Sequence, residues 1–163
     1  MSSPDPYQPL LRQASEHLQA GRQQAAESIY RDILKRAPEH PVATHFLGVC
    51  MVQTGRPQEG LAALAKSMQA LGRQARFRHN YALMLAQAGD AATAERELTA
   101  AIALEPGNAT SHKYLGIVRQ QLGRLADAAA AYEAGLALAP DDPYLAGNYG
   151  NCLLAQGAIE QAI

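Results

Sequence analysis

The chain contains no tryptophan, only two phenylalanines and only two cysteines. Runs of valine and isoleucine are few as well, so little of the residue stock that fills pleated sheets is present, while the abundant alanine favours helices. An excess of charge of one sign is also missing. Lys and Arg number 14 against 15 Asp and Glu, a formal net charge of -1, which argues against a dedicated nucleic-acid binder. Cys50 and Cys152 lie far apart and form no CxxC pair, which fits a reducing compartment and offers no zinc site. No stretch approaches the roughly 20 apolar residues that cross a bilayer, and the opening MSSPDPYQPL lacks the apolar segment of a signal peptide. A cytoplasmic protein with neither nucleic acid nor membrane as partner is the expectation. No nucleophile elbow, P-loop, HExxH or dinucleotide glycine motif occurs, so neither catalytic residues nor a cofactor are expected.

What the chain does have is a period, and at 48% hydrophobic residues it has enough apolar material to fold. Gly21, Gly55, Gly89, Gly123 and Gly157 are each 34 residues apart, and several follow a run ending in Gln-X, as in VQTGR, AQAGD and RQQLGR. Pro38, Pro106 and Pro140 form a second column, whose missing member is Gly72. Small residues make two more: Ala26, Gly60, Ala94, Ala128 and Ala162, and Ala14, Gly48, Ala82, Gly116 and Gly150. Large residues neighbour them in Leu47, Tyr81, Leu115 and Tyr149, and in Tyr30, Leu64, Leu98 and Tyr132. Small side chains at fixed phase let two helices approach closely, because the side chains at a crossing set the interaxial distance. The glycine can take the left-handed conformation that ends a first helix, and the proline stops the second. Each unit therefore reads as helix, turn, helix.

This pattern resembles the tetratricopeptide repeat, most closely in SHKYLGIVRQQLGRLADAAAAYEAGLALAPDD. The resemblance implies an all-α fold, a right-handed α–α superhelix of antiparallel helix pairs. The units would be 7–40, 41–74, 75–108 and 109–142, with a partial fifth at 143–163 and a disordered tail at 1–6. A solenoid normally ends on a polar capping helix. The last unit lacks one, so the chain is expected either to be excised from a longer protein or to form a homodimer through its uncapped end.

Family groove positions carried onto this chain select Val42, His45, Phe46 and Val49 from the second unit. The third supplies Arg76, His79, Asn80 and Leu83, the fourth Thr110, Lys113, Tyr114 and Ile117, and the fifth Tyr144, Asn148 and Asn151. Val49, Leu83 and Ile117 share a phase and either floor an apolar track for an extended segment or pack first helices together. First helices carry Arg12, Arg76, Arg78, Lys113 and Arg119 against the single acid Glu16, so a mildly basic inner face is expected to steer an acidic partner. A carboxylate clamp of the kind some family members use is not expected, because Ile117 stands where it needs Asn. Asn80 and Asn148 resemble the asparagine ladder of O-GlcNAc transferases, but Phe46 and Tyr114 interrupt it. His45 and His79 would lie about one helix diameter, roughly 10 Å, apart, too far to share a metal. The cysteines read as small packing residues. The chain is expected to be a bacterial, non-catalytic scaffold for a protein or peptide. The alternative is the N-terminal substrate-recognition arm of a larger glycosyltransferase, sulfotransferase or methyltransferase.

Overall fold

The computed structural model describes residues 5–162, with side chains through Gly157. Among the described residues all regular structure is helical: α1 (Gln8–Gln19), α2 (Gln23–Arg36), α3 (Pro41–Gln53), α4 (Pro57–Leu71), α5 (Ala75–Gln87), α6 (Ala91–Leu104), α7 (Ala109–Gln121), α8 (Leu125–Leu138) and α9 (Pro143–Ala162). Residues 1–4 of the expected tail lie outside the described residues. Asp5 is held: its Oδ1 accepts the Tyr7 N–H at 2.9 Å, and its Oδ2 lies 3.0 Å from His40 Nε2.

Helix ends follow from local chemistry. Gly21, Gly55, Gly89 and Gly123 have φ of 70°, 84°, 90° and 74°, the left-handed turn that closes α1, α3, α5 and α7. The helix ends before proline are different. Ala37, Glu105 and Ala139 take φ near -140° (-137°, -140° and -139°) and ψ of 79°, 79° and 75°, where a following Pro ring pushes the preceding residue out of helical space. Gly72 precedes no proline and stays helical at φ -64° and ψ -7°. Side chains cap several N-termini: Asp90 accepts from the Thr93 N–H and Asn108 from the Ser111 N–H.

Gly157 departs from the expectation that it would close a first helix. Helix α9 runs through it to Ala162.

The chain forms two compact units, residues 1–73 and 74–163. In the first, Tyr30, Ile33, Leu47, Cys50 and Met51 pack with the small residues Ala14, Ala26 and Ala43. Helices α3 and α4 touch backbone to backbone: a Cβ on Gly48 would lie 2.7 Å from the Gly60 carbonyl oxygen, and one on Gly60 2.6 Å from that of Gly48. In the second unit, Ala128, Tyr132, Leu145 and Cys152 make a core, and the Tyr132 ring lies over Gly116, within 2.6 Å of where a Cβ would be. The cysteines are buried packing residues; burial raises the Cys50 thiol to about 11.

Each unit also holds a carboxylate between two arginines. Glu27 meets Arg56 at 2.5 Å and Arg31 at 2.8 Å, and Glu95 meets Arg124 at 2.7 Å and Arg119 at 2.9 Å. Arg56 and Arg31 hold Glu27 below its ordinary value; at Glu95 burial acts upward but is outweighed by Arg119 and Arg124. Glu95→Gln should therefore lower the stability of residues 74–163 by about 1–2 kcal/mol, since the charge-assisted bonds from Arg119 and Arg124 are weakened or lost. Chemical denaturation at pH 7 measures it. The deficit should shrink below pH 4.5, the ordinary carboxylate value, because the native Glu95 itself loses its charge as the pH falls through its lowered value.

Candidate functional site

Within residues 74–163, α5 and α7 present equivalent stripes. Arg76, His79, Asn80, Leu83 and Gln87 recur at three- and four-residue steps on α5, and Thr110, Lys113, Tyr114, Ile117 and Gln121 do so on α7. Between them lies a depression of about 320 Å³ lined by Leu83, Met84 and Gln87 from one helix and Tyr114, Ile117 and Gln121 from the other. Leu83, Tyr114 and Ile117 are half-buried: each is packed on one side and open on the other.

Polar contacts stiffen the end of the depression nearer the helix N-termini. His79 Nδ1 lies 3.0 Å from the hydroxyl of Ser111, and the two rings of His79 and Tyr114 meet edge-on at 5.6 Å. Lys113 Nζ sits 5.9 Å from the centre of the Tyr114 ring and 5.8 Å from that of Tyr144 on α9, placing its cation over aromatic faces. Its ion-pair contact with Asp142 is loose, at 3.6 Å. Asp142 is held below its ordinary value first by the Leu145 N–H, then by the Tyr144 N–H and Lys113, against the effect of burial.

Burial lowers the His79 pKa, against a small upward pull from Glu105. Above the ordinary value of 6.5 the imidazole is neutral in both folded and unfolded chains, so it adds no pH dependence there. Below 6.5 the unfolded chain takes up a proton that folded His79 resists, so stability falls with pH until the lowered folded value is reached. The urea midpoint of unfolding should drop between pH 7.5 and 5.5, and His79→Gln should flatten that slope.

The structure corrects part of the expected groove. His45 is fully buried, its Nδ1 3.0 Å from Ser67 Oγ, and Val49 is only 8% exposed; both are core residues of the first unit and cannot line a surface. The physical reason is that α3 is apolar on every side and is buried as such, whereas α5 keeps a polar face. Asn80, Lys113 and Asn148 are half-buried, and Arg76, Tyr144 and Asn151 are exposed, Tyr144 at 75%. The mildly basic face is largely neutralised: Arg78 pairs with Glu97 at 2.6 Å, Arg119 with Glu95, and Lys113 with Asp142. Charge sorting by helix missed this because the acids reach across from second helices and turns. Arg76 makes no ion pair among the described residues; its guanidinium lies 4.5 Å over the buried Phe77 ring. Sequence reasoning also missed Ser111, Gln87 and Gln121. The glutamines carried a signal, since they stand 34 residues apart at the ends of successive first helices, but they read as marks of the turn.

Paired helices closed by left-handed glycines, with a side-chain-lined depression between first helices, define a helical-repeat interaction scaffold. Family models of the tetratricopeptide repeat match residues 17–82 and, in a second form, 82–143 and 115–163. The chain belongs to the tetratricopeptide repeat family, whose members are generally non-catalytic scaffolds that bind proteins. Cellulose synthase operon protein C of Xanthomonas axonopodis pv. citri (strain 306) is 34% identical over 160 residues and 93% of this chain, but the chain spans only 10% of that relative. Among solved structures, pilF of Pseudomonas aeruginosa is similar with a TM-score of 0.83 at 23% identity, over 93% of this chain and 69% of that one. The first TPR of Spaghetti (RPAP3) bound to the HSP90 peptide SRMEEVD is similar with a TM-score of 0.67 at 21% identity, over 72% of this chain and 93% of that one. These likenesses place the fold in the all-α superhelical class. No helix among the described residues is long and apolar enough to cross a membrane.

Proposed function

We propose that this chain is a scaffold that holds an extended segment of another protein against the first-helix face of α5 and α7, with α9 flanking it. The observation that carries this reading is the depression between α5 and α7, where Leu83, Tyr114 and Ile117 stay partly open although apolar. Covering them removes apolar area from water, and a preformed wall of packed helices loses little freedom on binding. A structural neighbour with a peptide bound, the first TPR of Spaghetti, supports this use of the fold. The test is affinity capture from extract with the intact chain, with Ile117→Glu, and with a control, Glu133→Lys, on the exposed side of α8. The captured partner should be lost with Ile117→Glu and kept with the control. Equal capture by all three would sink the proposal.

A second reading, that the chain is the recognition segment of a larger protein, draws on its alignment with a tenth of a much longer relative. An antibody raised against it should then detect a native species well above 17.4 kDa. Self-association through α9 draws on the exposure of Leu154 at 74% and Leu153 at 44%; sedimentation equilibrium of Leu153→Ser, Leu154→Ser against the parent chain decides it.

A further inference from the structure

We infer that the depression between α5 and α7 selects a segment carrying one large apolar side chain with a carboxylate two residues away from it, the carboxylate lying toward Lys113. This deepens the peptide-scaffold reading and rests on it. The depression itself sets the first requirement. Its lining of Leu83, Met84 and Ile117, with the Tyr114 ring as one wall, is apolar, and its volume of about 320 Å³ is at the small end of ligand pockets, room for one anchoring side chain rather than a domain surface.

Lys113 sets the second requirement. Its ammonium lies 5.9 Å from the centre of the Tyr114 ring, so a cation stands just beyond the wall of the pocket. In an extended segment, side chains two residues apart point the same way and are separated by roughly 7 Å. An anchor seated against Tyr114 therefore brings the residue two positions along to Lys113. The ammonium is ion-paired with Asp142 at 3.6 Å, a contact that leaves N–H donors among its three to meet a ligand carboxylate as well. Arg76, exposed and without an ion pair among the described residues, stands near the N-terminal end of the neighbouring stripe. Asp142 opposes Lys113 locally, which keeps the preference for acid moderate rather than absolute.

The opposite end fixes the direction. Gln87 and Gln121 are the last residues of α5 and α7, and both are exposed. Helix C-termini carry the negative end of the peptide dipole and disfavour a carboxylate, while two side-chain amides each offer a donor and an acceptor to the main chain of a bound segment. The acid belongs at the lysine end and plain backbone at the glutamine end.

The experiment uses the whole chain and fluorescent nonapeptides of serine and glycine bearing one central leucine, with Glu, Gln or Lys two residues before or after it, read by fluorescence polarisation. In low salt the better Glu peptide should bind about tenfold tighter than its Lys counterpart, and the ratio should narrow in 0.5 M salt as the exposed charges are screened. Lys113→Gln should bring the Glu and Lys peptides to within about twofold while leaving the Gln peptide unchanged. Leu83→Gln should weaken every peptide tenfold or more. Should that variant melt early by circular dichroism, the paired surface changes Gln87→Ala, Gln121→Ala serve in its place, with about a threefold loss expected. Equal binding of Glu and Lys peptides, with loss in Leu83→Gln, would overturn the carboxylate selection and leave the groove reading intact. Binding that neither the leucine nor the glutamine changes affect, or no binding of any peptide at millimolar concentration, would overturn both.

Discussion

Gly48→Leu should unfold residues 5–73 under conditions in which the parent chain is folded, or lower their stability by about 3 kcal/mol or more, beyond the usual loss for an overpacked core. The first added carbon decides this. A Cβ on Gly48 would sit 2.7 Å from the Gly60 carbonyl oxygen and 2.8 Å from Leu64 Cγ, and the carbonyl belongs to the backbone of α4, which cannot rotate away as a side chain could. Even Gly48→Ala should destabilise, although alanine is the better helix former by about 1 kcal/mol. Gly150→Ala provides the contrast: nothing lies within 4 Å of a Cβ there, so propensity acts alone and the change should stabilise by up to about 1 kcal/mol. Urea denaturation of the two alanine variants should give opposite signs. If both stabilise, the close crossing of α3 and α4 is not present in solution.

The second large effect belongs to Tyr132. Its side chain is fully buried among Ala128, Leu145 and Cys152, its ring lies over Gly116, and its hydroxyl donates to Gln120 Oε1. Burial raises the phenol to about 12, so it remains a neutral donor throughout the neutral range. Tyr132→Ala should lower stability by about 3–5 kcal/mol by opening a cavity that rigid helices cannot close. Tyr132→Phe removes the hydroxyl and leaves the Gln120 amide without that donor, a loss of about 1 kcal/mol. Hydrogen-exchange protection in Tyr132→Ala should weaken first across α7, α8 and α9, because repeats lean mainly on their nearest neighbours. Gly116→Leu alone should also destabilise, by about 1–3 kcal/mol, but combined with Tyr132→Ala it should recover part of the loss by filling the space. Additive losses in the double variant would mean that the two positions do not share one crossing.

Much of the fold could be read from spacing. Gly21, Gly55, Gly89 and Gly123 close helices because only glycine enters the left-handed turn without steric penalty, and that requirement is local. The prolines act locally too, on the one residue before them, and Gly72, which precedes no proline, stays helical instead. Gly157 occupies the same column, yet α9 continues through it. The candidate site was less legible. His45 and His79 stand in the same phase, yet His45 is buried against Ser67 of α4 while His79 is partly open and meets Ser111 of α7. Nothing at either position foretells that difference; it depends on the neighbours each helix acquires.

The glutamates held between two arginines make the same point at longer range. Glu27 and Glu95 are two periods apart, as are Arg56 and Arg124, but the intervening unit has Leu61 and Asp90 at those places, so a search at one period passes over them. What the amino-acid sequence determined alone was the helix pairs and their phases, because backbone limits at glycine and proline and the size of side chains at a crossing operate within a few residues. Tertiary structure decided which cations remain available to a partner and which stripe residues are surface rather than core. Those depend on acids and apolar faces brought in from distant helices, and no spacing rule contains that information.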